Sequence, residues 1–168
     1  MTSVRLVIAA CLASLTVGLV LGQAPPQMKM ASEACVKAVD PQKLLVLVEA
    51  SSRIGRNVLS LRPGMRADDS DYEGANDLWR VSSDLSALLQ WIADLGLIAN
   101  NIQSASDKAA VRIVLQKSAT SVLLRQELMV EQVNLALSRV RGATLVAEGR
   151  ALRDEIDRFA TALQPCAN

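Results

Sequence analysis

Histidine is absent from the 168 residues. That one absence removes Ser-His-Asp and Cys-His nucleophile arrangements and every histidine-bearing zinc site. Aromatic residues are scarce, with two Trp, one Tyr and one Phe. Clusters of β-branched and aromatic residues in period-two alternation, the mark of strands, are missing. No proline lies between Pro63 and Pro165. An interior proline costs about 3 kcal/mol in a helix, so this gap is what long helices require. Neither sign of charge is in excess: 18 Lys and Arg stand against 17 Asp and Glu. Such a balance leaves no basic footprint for nucleic acid. No Gly-rich phosphate loop, GxSxG elbow or metalloprotease helix occurs.

What is present is apolar. Hydrophobic residues make up 51% of the chain, enough to bury one core and to exclude disorder over most of its length. Residues 1–22 read as a secretory signal: Arg5 is their only charge, and Leu6 to Leu21 is apolar apart from small breaks at Ser14 and Thr16. A cut after Gly22 leaves small residues at −1 and −3 (Gly22, Val20). An uncleaved anchor is the alternative, because the run is near the lower limit for a spanning helix. Ile8-Ala9-Ala10-Cys11 resembles a bacterial lipobox, although few apolar residues precede the cysteine. Each reading exports the remainder, to the periplasm or beyond, and leaves the membrane in contact only through this segment. Residues 23–31 form a tether kept extended by Pro25-Pro26, and residues 32–168 form the folded domain. After the cut only Cys35 and Cys166 remain, which in an exported protein points to a disulfide.

The spacing predicts an all-α protein. A short helix carries Cys35. Asp40-Pro41 opens the next as N-cap and first-turn proline, with Leu44, Leu47, Ser51, Ile54, Val58 and Leu61 on one face. Residues 63–76 read as an acidic loop. Leu78, Val81, Leu85, Leu88, Ile92, Leu95, Ala99 and Ile102 then step by three and four, a bundle or coiled-coil seam. Ser104 or Ser106 caps a third helix running to about Arg141, with Val111, Leu115, Ser118, Val122, Met129, Val133, Ala136 and Val140 as its stripe. Gly142 ends it, and Thr144 caps a fourth helix carrying Leu145, Leu152, Ile156, Phe159 and Leu163.

Gly142 alone does not decide between a turn and one long helix, since glycine costs only about 1 kcal/mol inside a helix. The cysteines do. An unbroken helix over 106–163 spans roughly 85 Å and carries Cys166 away from Cys35. Four helices running up-down-up-down return both termini to one end, where a bridge is possible. The expected fold is therefore an up-down-up-down four-helix bundle closed by one disulfide between its termini. Charge supports neighbouring first and second helices, because residues 23–67 are mainly basic and residues 68–103 mainly acidic.

Asp69-Ser70-Asp71-Tyr72-Glu73-Gly74 resembles the start of an EF-hand loop, which would make Asp69, Asp71 and Glu73 metal ligands. Departures follow at once: Asn76 stands at position eight, and Arg80 replaces the bidentate glutamate at twelve. The alternative is an acidic surface loop ending in an Asn76 or Asp77 helix cap. Met28, Met30 and Met65 offer thioethers without a clustered third ligand. Asp154, Glu155 and Asp157 are consecutive enough to face different ways on a helix. Leu47-Val48-Glu49-Ala50 through Arg53 resembles the first helix of the exported helical chorismate mutases, though the lysine and the downstream acidic pattern of that family are missing.

The third helix carries more apolar surface than one core face needs. Ile113, Leu124, Leu128 and Leu135 cluster opposite the main stripe, interrupted by Lys117 and Glu131. Both tryptophans, Trp79 and Trp91, flank the seam of the second helix. These residues are candidates for a partner face, with Trp79 as an aromatic anchor. The sequence thus supports a non-catalytic interaction module without a cofactor, contacting a protein partner or a second copy. A small-ligand or metal-binding bundle is the alternative, followed by a histidine-free helical enzyme of the chorismate mutase type.

Overall fold

Caps and proline positions set the elements. In a computed structural model, described here for residues 31–66 and 69–167, every regular element is helical and no strand occurs among those residues. The signal, Met28, Met30 and nearly all of the tether lie outside the described residues. Helix α1 is Glu33–Ala38, α2 Pro41–Leu61, α3 Ser70–Asn101, α4 Ala105–Leu123, α5 Gln126–Arg139 and α6 Ala143–Leu163. Short 3₁₀ turns follow α2 (Arg62–Gly64) and α6 (Gln164–Cys166). Asp40 opens α2, its carboxylate accepting the Gln42 N–H at 3.0 Å.

Helix α3 is the spine. Its 32 residues reach about 48 Å, and it packs against α2, α4, α5 and α6. It is long and apolar enough to cross a membrane by composition alone, but its apolar seam is consumed by these neighbours. Leu78, Leu85, Leu89 and Ile92 are wholly buried, whereas the predicted seam member Leu88 is only partly covered. Close approach of α2 to α3 depends on small residues: a Cβ on Gly55 would lie 2.6 Å from Ser82 Oγ. Between α3 and α5 the same role falls to Gly74, where a Cβ would collide with Val140 Cγ1 and approach the Ala136 carbonyl to 3.1 Å.

Three expectations are corrected. The acidic loop is shorter than 63–76, because α3 begins at Ser70 and its N-cap is Asp69, which accepts the Asp71 N–H at 3.1 Å. Asp71 and Glu73 sit in the first turn, where negative charge opposes the helix dipole favourably. Arg62 anchors that turn from the other side of the loop, donating to the Tyr72 hydroxyl at 2.7 Å with its guanidinium 4.9 Å from the ring centroid.

The third helix is two helices. The ladder tightens at Leu124–Arg125, where the Arg125 N–H reaches the Val122 carbonyl at 3.0 Å, and it resumes with Met129 N–H on the Arg125 carbonyl. Leu124 and Arg125 are both good helix formers, so neither marks the corner in the sequence. The buried face stays in phase across it, through Leu115, Ala119, Val122, Met129, Val133 and Ala136. Ala119, not Ser118, fills the core position.

A turn does separate α5 from α6, but Gly142 is the N-cap of α6 and Thr144 lies inside that helix. Glycine has no side-chain oxygen with which to cap α6, and no side chain caps it. The turn that precedes the helix is held from α3. Asp71 Oδ1 accepts the Arg141 N–H at 2.6 Å and Oδ2 the Gly142 N–H at 3.0 Å.

Cys35 and Cys166 are bonded, with Cα atoms 4.4 Å apart and a sequence separation of 131. Both are fully buried, joining α1 to the C-terminal 3₁₀ turn. Helix α4 holds each half of the joint. Gln116 Oε1 accepts the Ser32 N–H at 2.8 Å, and the Thr120 hydroxyl donates to the Cys166 carbonyl at 2.7 Å.

Candidate functional site

The acidic residues 69–73 are put to structural use. Asp69 caps its own helix, Asp71 holds the start of α6 with both oxygens, and Glu73 is exposed. An EF-hand needs an open twelve-residue loop, whereas residues 70–80 are helical and Arg80 lies along α3. No group of three or more potential metal ligands is gathered among the described residues.

Exposed apolar side chains instead collect along α5. Leu124 at the α4–α5 corner is 80% exposed, Leu128 54% and Leu135 52%. At about 100° per residue they fall within roughly 40° of one another. Ile113 is half-buried on α4 and stands apart from them in exposure. Two adjoining depressions run between this strip and α3 and share Gln132. Val81 and Leu135 line one, Leu88, Leu128 and Met129 the other. The Arg139–Asp77 ion pair, at 2.8 Å, joins α5 to α3 at one end. Trp91, 54% exposed, stands two helical turns beyond Asp84 on the same flank of α3.

Trp79 does not belong to this surface. It is 37% exposed and sits toward α2, with its Cδ1 3.8 Å from where a Gly55 Cβ would be. It lies about 120° of helical arc from Trp91. The tryptophan on the flank that faces the leucines is therefore Trp91, and which flank of α3 that is depends on how the helices pack.

A second groove separates α2 from α6, with Leu45, Val46, Arg53, Glu155 and Arg158 among its walls. Glu155 is the one charged side chain in the buried set of the described residues. Its Oε1 accepts from Arg158 at 2.6 Å, while Oε2 is enclosed without a hydrogen-bond partner. Glu49, from the segment that resembles the chorismate mutase helix, is turned aside to Arg56 at 2.7 Å. Arg53 has no ion-pair partner among the described residues, and the other acids of the groove are paired locally, Glu49 with Arg56 and Glu155 with Arg158.

No family model, no curated protein and no solved structure matches this chain. The functional assignment rests on the surface itself.

Proposed function

We propose that this chain is an extracytoplasmic, non-catalytic interaction module whose working face is the strip of Leu124, Leu128 and Leu135 with the adjoining flank of α3. The exposure of three leucines in one line carries the reading. Scattered surface leucines are ordinary, but three in one line beside a groove, with charge around them, have the composition of an interface core and rim. Counting α4 and α5 as one interrupted helix, we read the bundle as up-down-up-down. Support comes from Pro41 of α2 lying against Gly96 near the end of α3, and from Asp77 near the start of α3 pairing with Arg139 at the end of α5. A buried disulfide fits an oxidising compartment. A photo-crosslinking side chain placed at Leu128 and expressed in the exporting host tests the face. Adducts are expected there and not from Val46, which is 69% exposed on α2. Equal labelling from both positions overturns the assignment. N-terminal sequencing of the exported product, expected to begin at Gln23, tests the signal.

The enclosed Glu155 Oε2 supports a second reading, a small-ligand site between α2 and α6 for an amine with an apolar body. A buried acceptor left unpaired costs about 1–3 kcal/mol, which a bound ammonium group would relieve. A rise in melting temperature with alkylamines, lost in Glu155→Gln, is its test.

A further inference from the structure

We infer that the occupant of the α5 strip is a second copy of this chain, packed antiparallel about a two-fold axis near Leu128. The inference deepens the interaction reading and rests on it. Exposed charged residues of both signs border the strip, Arg80 and Asp84 on α3, Arg125 at the corner and Glu127 and Glu131 on α5, and none has an ion-pair partner among the described residues. Two are cations and three are anions. A strongly acidic or basic partner, or an anionic lipid surface, would meet repulsion as well as attraction on such a border.

A second copy meets a match. Arg125 and Glu131 stand three residues either side of Leu128. An antiparallel contact between two α5 helices centred on Leu128 therefore brings the guanidinium of each copy to the height of the carboxylate of the other. A parallel contact sets like charges level and is disfavoured. The same two-fold axis applies Leu128 to Leu128 and repeats every contact, as an isologous interface requires. With signal residues 1–22 removed, the chain has 17 residues of each sign, so two copies carry no net repulsion at long range. An apolar contact core with a polar rim is the general build of homodimer interfaces.

Sedimentation velocity of the oxidised protein, from about 1 to about 500 μM so as to bracket micromolar association, reads the outcome. Wild type is expected to dimerise, Leu128→Glu to remain monomeric with unchanged helical circular dichroism, and Val46→Glu to dimerise as wild type. Arg125→Glu is expected to weaken the dimer at least tenfold, and the double variant Arg125→Glu/Glu131→Arg to restore it. A double variant no better than the single one overturns the antiparallel register. A monomeric wild type together with a folded Leu128→Glu overturns self-association and leaves the face to a different protein. Where Leu128→Glu does not fold, Arg125→Glu, at an exposed corner, decides: association as strong as that of wild type overturns the proposal.

Discussion

Asp71 and Gly142 are 71 residues apart in sequence, yet the carboxylate of one accepts the backbone N–H of the other at 3.0 Å, and that of Arg141 at 2.6 Å. One side chain in the first turn of α3 thus holds the backbone of the turn that enters α6. It ties the start of the spine helix to the last turn of the bundle, at the end opposite the disulfide.

Asp71→Ala is expected to lower unfolding stability by about 1.5–3 kcal/mol, the range for losing hydrogen bonds to a charged acceptor. Asp71→Asn should lose less, because its carbonyl oxygen still accepts one N–H. Urea denaturation followed by circular dichroism gives both values. Stability unchanged in Asp71→Ala would show that the turn is held by the α5–α6 packing alone.

The same use of Asp71 predicts that calcium binds weakly at best. Both its oxygens are taken, Asp69 caps the helix, and the residue at position twelve is Arg80. Calorimetric titration is expected to show no micromolar site. Micromolar affinity abolished by Asp71→Ala would overturn this account.

Opening the disulfide should cost about 5 kcal/mol in the chain-entropy treatment, near the upper end because the closed loop is long. Cys166→Ser is the variant, with equilibrium unfolding as the measurement. Hydrogen exchange should rise first in α1, whose contacts are with the C-terminal turn, α4 and α6. A loss below 1 kcal/mol would mean that these contacts alone hold α1 in place.

Gly74→Ala tests the packing of α3 on α5. In an isolated helix the change is worth about 1 kcal/mol in favour of alanine. Here the new methyl meets Val140 and the Ala136 carbonyl, and overpacking of this kind costs about 1–3 kcal/mol. The expected result is net destabilisation, partly recovered by adding Val140→Ala. A more stable single variant would show that α5 shifts freely on α3.

The helical class, the paired cysteines and the main core faces were legible in the sequence. Apolar residues at spacings of three and four, proline confined to the ends of helices, and two cysteines flanking one domain are local or counting signals that survive without a structure. Leu44, Leu78, Leu85, Ile92 and Phe159 are all wholly buried, as their periodicity predicts. The corner at Leu124–Arg125 was not legible, because both residues favour helix and the buried face passes through without a change of phase. The start of α3 at Ser70 is not legible for a related reason: its first turn is acidic and polar, so no apolar periodicity announces it.

The sequence by itself determined which residues are apolar at helical spacing and which chemistries are missing. Only the tertiary structure decided which apolar stripe of α5 is core and which is surface, which flank of α3, and so which tryptophan, lies on the side of the exposed leucines, and that an acidic motif holds a distant turn. The reason is physical. A helix presents every side of itself equally, and burial depends on how many neighbours close around it. A carboxylate's partner is whichever N–H the packing brings within 3 Å or so, and chain distance does not enter.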